Sequence, residues 1–188
     1  MIVFVSGGAR SGKSHVAEQC VLQAANGQPC FYVATASVYD GEMAERVARH
    51  QAERSPPQAS TQWVTLEVPL AIDQAIAQVP DSHAVLLDCL TLWASQVMFN
   101  GEEDESEPFS SHEGFSLLVR CVQDARARKI TLVIVSNDLN EAPLPNDPVT
   151  LRYVEFLQRL HRWLANEADS VIEVVAGQPI EWKAVANS

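Results

Sequence analysis

Positive charge is scarce in this chain: 13 lysines and arginines stand against 24 aspartates and glutamates, a formal net charge of −11. Binding to nucleic acid or an anionic membrane gains from counterion release only where a basic face exists, so general binders of either kind are excluded. A local basic pocket around a phosphate remains compatible. No apolar run is long enough to cross a bilayer, which excludes membrane insertion through an apolar helix. The first apolar run, Ile2 to Val5, has neither a basic leader nor a small-residue cleavage site, so a cytoplasmic location is expected. Cysteine is limited to Cys20, Cys30, Cys89 and Cys121, with no CxxC pair and no histidine cluster at ligand spacing beside them. Free, packed thiols are expected rather than a disulfide framework or a zinc site. The NKxD tetrapeptide of guanine-reading switch GTPases is also missing, which argues against a signalling GTPase.

What is present is an alternation. Short apolar runs recur at Ile2 to Val5, Phe31 to Ala34, Ala84 to Leu87, Thr131 to Val135 and Val171 to Val175, with a weaker one near Trp182 to Val185. Rich in β-branched or aromatic residues and nearly continuous, they read as strands covered on both faces. Between them lie helical stretches at Lys13 to Ala25, Gly41 to Arg54, Pro69 to Ala77, Leu90 to Phe99, Glu113 to Arg128 and Val149 to Ala168. The last places Val154, Leu157, Leu160, Leu164 and Ala168 at spacings of three and four, which predicts one buried face. This is the pattern of an α/β fold with a mostly parallel sheet flanked by helices. At 188 residues, with no repeat and no second core, a single domain is expected over 1–188. Two stretches break the alternation. Gly101 to Gly114 is acidic and predicts a surface loop; Asn137 to Pro148 carries three prolines after a strand and predicts a loop on the ligand-binding edge.

Gly7, Gly8, Ala9, Arg10, Ser11, Gly12, Lys13 and Ser14 fit G-x-x-x-x-G-K-[ST] between a predicted strand and a predicted helix. The glycines let successive backbone N–H groups converge on phosphate oxygens, the helix start adds positive potential, and Lys13 reaches the terminal phosphates. Ser14 is the expected Mg²⁺ ligand. A second acidic ligand is expected at the end of a buried strand, and Asp88 after Ala84–Leu87 stands there, although a helix N-cap is the competing role for that residue. On a helix, Arg46, His50 and Arg54 share one stripe at i, i+4 and i+8, an imidazole between two guanidiniums. That stripe suits either a polyphosphate with a nucleophilic imidazole or a solvated basic face with Glu42 and Arg46 as an ion pair.

Taken together, GGARSGKS, YVATA, DGEMAERVARHQAER, WVTLE, VLLDCLTLW, VIVSN and ADSVIEVVAGQPIEWK resemble, in order and spacing and over nearly the whole chain, the bifunctional adenosylcobinamide kinase / adenosylcobinamide-phosphate guanylyltransferase family of cobalamin biosynthesis. The resemblance implies a RecA-like P-loop domain that phosphorylates adenosylcobinamide with ATP or GTP and then transfers GMP from GTP through a GMP-histidine, with Mg²⁺. It puts that histidine on His50. It also implies that Ala34, Thr35, Ala36, Gln51, Ala52, Glu53, Arg54, Glu67 and Asp88 line the guanine nucleotide site, and that the protein is a homotrimer. His15, His83, His112 and His161 match nothing catalytic and read as surface or packing residues, while Trp93 and Trp163 read as core or subunit interface. The chain departs from the family after VIVSN. Where E-V-G-x-G-[IV]-V-P is usual it has Asp138-Leu139-Asn140-Glu141-Ala142-Pro143-Leu144-Pro145, without either glycine, and Gln96 stands where asparagine is common. The departing loop keeps a simpler P-loop kinase in view, and the acidic stretch a non-catalytic nucleotide-binding module.

Overall fold

The structure is a computed structural model, and it describes residues 1–35, 62–99, 111–138 and 147–184. Its strands are β1 (Ile2–Gly7), β2 (Cys30–Ala34), β3 (Trp63–Glu67), β4 (Ala84–Asp88), β5 (Thr131–Asn137), β6 (Ser170–Val175) and β7 (Gln178–Lys183). The helices are α1 (Lys13–Ala25), α2 (Ile72–Gln78), α3 (Leu90–Phe99), α4 (Ser111–Ala127) and α5 (Pro148–Glu167). One sheet runs β3-β2-β4-β5-β1-β6-β7, parallel throughout except for the antiparallel β6–β7 hairpin.

Side chains alternate across a strand, and here each alternate set meets a different helical layer. Val3 and Val5 of β1 join Val133, Val135 and Leu86 against Ala17 and Val21 of α1. Ile2 and Phe4 join Leu132, Ile134, Val85 and Leu87 against α2 to α5, where Trp93, Leu118 and Leu157 are fully buried. The central strands therefore read as continuous apolar runs because water reaches neither face. Leu157, Leu160, Leu164 and Ala168 form the buried stripe expected of the last helix, with Phe156 added and Val154 only half-buried. Trp93 is core, its indole N–H donating to Leu70 O at 2.9 Å; Trp163 packs edge-on against Phe115 with ring centroids 5.6 Å apart.

Several boundaries differ from expectation, each for a tertiary or capping reason. The stretch 101–114 is not all loop, since α4 begins at Ser111. Gly114 is buried there, and a Cβ on it would lie 2.6 Å from Val97 Cγ1, so the acidic run ends where α4 crosses close to α3. The ends of the stretch Asn137–Pro148 belong to regular elements: Asn137 closes β5, and Pro148 opens α5 behind the N-cap Asp147, whose Oδ2 accepts from Thr150 N at 2.8 Å. The second helix spans Ile72–Gln78 rather than 69–77, because Pro69 and Leu70 sit in a turn. The last strand starts at Gln178 rather than near Trp182, since a two-residue turn with Ala176 at φ 49° and Gly177 at φ 81° folds it back on β6. The predicted helix Gly41 to Arg54 and the loop residues 139–146 lie outside the described residues.

Candidate nucleotide site

β1 ends at Gly7, and the chain turns through Gly8–Gly12 into α1. Arg10 at φ 58° and Gly12 at φ 91° are left-handed, while Ser11 N donates to Gly8 O at 3.2 Å, so the backbone folds back on itself. Gly12 occupies the N-cap without a side-chain cap, and no acid stands in the first turn of α1. The first amides of the helix are therefore open to an external anion, with the positive end of the macrodipole behind them. Lys13 is buried at 8% exposure, with Nζ donating to Gly8 O at 3.0 Å across the loop, and Ser14 is half-buried one residue on. Gly8, Ala9 and Arg10 face solvent.

The loop leans on the β6–β7 hairpin, an arrangement that local sequence does not signal. Gly177 N donates to Ser11 O at 2.8 Å, and a Cβ on Gly12 would meet Gly177 Cα at 3.4 Å. The closing AGQP segment, which turns through the left-handed pair Ala176-Gly177, is thus a brace for the phosphate loop.

Strand register carries the rest of the motif to the same edge. β5 separates β1 from β4, with Gly7 opposite Asn137 and Asp88 opposite Val135. Asp88 closes β4, half-buried, and accepts from Tyr32 Oη at 3.1 Å. Its peptide bond to Cys89 is cis. Ala34 lies opposite Asp88 on β2, and Glu67, exposed, lies opposite Ala34 on β3. Thr35 is fully buried: its hydroxyl accepts from Cys89 N at 2.9 Å and reaches Cys89 O at 3.0 Å and Asp88 O at 3.3 Å. Its polar group is thereby committed to fastening β2 to the exit of β4. Gln96 Nε2 donates to Thr35 O at 2.7 Å, so the residue that departs from the family pattern holds the same corner. His50, Ala36, Gln51, Ala52, Glu53 and Arg54 lie outside the described residues, as does Arg46.

A strand, a phosphate-type loop and a carboxylate one strand removed on a parallel sheet point to a P-loop ATPase fold, and comparison agrees. A solved ATPase domain is 12% identical, with a TM-score of 0.54 over 100% of this chain and 78% of that chain, a likeness in fold. The family described as cobinamide kinase / cobinamide phosphate guanyltransferase matches residues 3–182. The chain belongs to this family. Among its relatives, the bifunctional adenosylcobalamin biosynthesis protein CobP of Pseudomonas aeruginosa is 34% identical over 95% of each chain. The bifunctional adenosylcobalamin biosynthesis protein CobU of Salmonella typhimurium is 30% identical over 97% of this chain and 100% of its own.

In this member of the cobinamide kinase family, His15 and His112 are exposed and His83 half-buried, as surface or packing residues should be. His161 does more. Its ring packs on Phe4 at 5.3 Å between centroids and its Nε2 lies 2.7 Å from Ser136 Oγ, where burial pushes its pKa down to about 4, with Asp138 opposing in part. The thiols are free; burial pushes Cys30 up to about 11 and raises Cys121 further, so neither is a ready nucleophile. His161 gives a pH prediction whose sign follows from linkage. An unfolded histidine protonates near pH 6.5, so between pH 6.5 and 4 the unfolded chain takes a proton that the fold refuses. Stability carried by the neutral ring is intact above pH 6.5 and falls with pH, by about 2 kcal/mol at pH 5. Unfolding free energies from urea denaturation at pH 7.5 and 5.0 should lie about 2 kcal/mol closer together in His161→Gln than in wild type. Parallel losses in the two proteins would show that His161 titrates normally.

Proposed function

We propose that this chain carries out both reactions of its family, cobinamide kinase and cobinamide phosphate guanyltransferase, at the carboxyl edge of its mostly parallel sheet. In the first, the hydroxyl of adenosylcobinamide attacks the γ-phosphate of ATP or GTP; a new P–O bond forms, the β–γ bridge breaks, and the nucleoside diphosphate leaves. In the second, an imidazole nitrogen of His50 attacks the α-phosphate of GTP and releases pyrophosphate. A phosphate oxygen of adenosylcobinamide phosphate then displaces the histidine, giving adenosylcobinamide-GDP.

The single observation that carries this reading is the alignment of the phosphate loop, buried Lys13 and Asp88 at one edge, within a chain that matches the family over residues 3–182. The amides at the start of α1 bind polyphosphate, and Lys13 neutralises charge gathering on the transferred group. Ser14 and Asp88 offer a hydroxyl and a carboxylate at the same edge, a hard oxygen set that fits Mg²⁺. When bound, the ion would spread the charge of the β- and γ-phosphates. Ala34, Thr35, Ala36, Gln51 to Arg54 and Glu67 frame the guanine nucleotide in this reading, Thr35 by holding the strand ends rather than by a free hydroxyl. A cytoplasmic homotrimer completes the proposal. Among the described residues, no helix is long and apolar enough to cross a membrane.

The test uses purified protein with Mg²⁺ and GTP labelled on the α-phosphate, quenched in alkali. Acid-labile, alkali-stable label is expected on wild type and not on His50→Ala, and adenosylcobinamide phosphate should chase it into product. Absence of label on wild type that binds GTP would refute the guanylyl half and leave a P-loop kinase, the reading that the altered loop after Asn137 favours.

A further inference from the structure

The face of the sheet covered by α2 to α5 is apolar almost throughout, yet a chain of hydrogen bonds runs through it to the ligand edge. His161 Nε2 lies 2.7 Å from Ser136 Oγ, Ser136 Oγ lies 2.9 Å from Thr91 Oγ1, and Thr91 Oγ1 accepts from Asn137 N at 2.7 Å. Tyr153, two turns before His161 on α5, donates its hydroxyl to Thr91 O at 2.9 Å. We infer that His161, Ser136 and Thr91 form a positioning relay that fixes the exit of β5 between the phosphate loop and Asp88, and so sets the acceptor alcohol for phosphoryl transfer. The inference rests on the kinase reading above.

Place in the sheet gives the relay its consequence. β5 is the spacer between β1 and β4, and two successive amides at its end are tied in opposite directions. Asn137 N–H goes to Thr91, in the first turn of α3 and three residues after Asp88; Asp138 N–H goes to Gly7 O, at the foot of the phosphate loop, at 2.9 Å. The residues that follow Asp138 enter the loop that departs from the family pattern, and the chain returns as α5, which carries Tyr153 and His161 back under the same corner. A buried polar chain of this kind gains little stability over apolar packing, because each group must be desolvated; what it confers is a defined geometry. The geometry admits a proton order that suits this role: Thr91 Oγ1 accepts from Asn137 N, and with Nε2 of His161 unprotonated the Thr91 proton can go to Ser136 and the Ser136 proton to the ring.

Phosphoryl transfer is sensitive to placement, since a misplacement of about 1 Å can cost on the order of 100-fold in rate. The nucleotide is held by loop backbone on the other side of Gly7. Loss of the relay should therefore lower the rate of transfer to adenosylcobinamide without weakening nucleotide binding. Four proteins decide it: wild type, His161→Phe, which keeps a ring on Phe4, His161→Gln, which restores a polar group, and Thr91→Val, which removes the acceptor for Asn137. Single-turnover phosphorylation of adenosylcobinamide should fall about 10- to 100-fold in His161→Phe and Thr91→Val. Nucleotide Kd should stay within about twofold, and His161→Gln should recover most of the rate. Hydrogen exchange gives a readout independent of the acceptor: protection of the Asn137 amide should drop at least about tenfold in His161→Phe and recover in His161→Gln.

Unchanged rates, rates and nucleotide affinity falling together, or a glutamine variant no better than phenylalanine would each overturn the catalytic role. Unchanged protection at Asn137 would overturn the relay itself. A folded wild-type protein that binds nucleotide but leaves adenosylcobinamide unphosphorylated refutes the kinase reading and the acceptor-positioning role with it. Exchange at Asn137 then still decides whether the relay fixes β5.

Discussion

Lys13→Ala is expected to lower both the kinase and the guanylyl-transfer rates by at least two to three orders of magnitude, on the scale of losing one preorganised electrostatic donor, while the melting temperature holds or rises. The two halves of this expectation have one cause. Lys13 is 8% exposed, and its ammonium reaches Gly8 O at 3.0 Å, so the resting protein keeps a charged group largely out of water. Desolvation of a charge is costly, and its contacts in the folded chain, Gly8 O among them, return only part of it. In the proposed reaction that charge faces a polyphosphate whose negative charge shifts as the bond breaks. Alanine removes a folding cost along with the transition-state contact. Steady-state kinetics for each half-reaction, combined with thermal melts without nucleotide, checks both parts. A variant retaining a tenth of wild-type activity would remove Lys13 from the chemistry, and one that melted several degrees lower would show that the ammonium is structural.

The contrast between Lys13 and His161 shows how far the sequence was legible. Lys13 and Asp88 announce themselves through local pattern: a glycine-rich motif after one apolar run, and a carboxylate closing another. The parallel sheet then follows from apolar runs alternating with helical stretches, and the structure places both residues at one edge. Thr35, Gln96 and His161 carry no such signal. Thr35 sits in the segment that the family resemblance assigns to nucleotide, and only the pairing of β2 with β4 shows its hydroxyl committed to Cys89. His161 is one of five histidines. Its partner Ser136 lies 25 residues away and Thr91 a further 45, so their meeting depends on strand order rather than on spacing. The hairpin under the phosphate loop was hidden for the same reason: Gly177 and Ser11 are brought together by β6 pairing with β1. The assignment of His50 rests on the family resemblance and on the labelling experiment, since its segment lies outside the described residues.

Gly7→Ala should be the most disruptive single-methyl change in the phosphate loop, costing about 3 kcal/mol, at the upper end of overpacking penalties. Gly7 is buried, and a Cβ there would lie 2.5 Å from Val174 O and 2.7 Å from Ser11 Oγ. The serine hydroxyl, buried without a hydrogen-bond partner among the described residues, belongs to a half-buried side chain that can rotate, so the contact that decides is Val174 O. Val174 O is backbone of β6, whose Val174 is the register partner of Gly7, so it cannot retreat without parting two strands. Gly8 provides the control, since a Cβ there meets nothing within 4 Å. Gly8→Ala should cost less than about 1 kcal/mol, whereas Gly7→Ala should lower the melting temperature by roughly 10 °C for a chain of this size. The same displacement would push the loop away from Gly177, which holds Ser11 O at 2.8 Å, so nucleotide affinity should fall at least about tenfold in whatever fraction stays folded. Urea denaturation of the two variants, followed by nucleotide titration of the folded protein, tests the chain of consequences. Equal stability in both would mean that β6 yields at Val174, and would remove the hairpin as the support that keeps the phosphate loop in place.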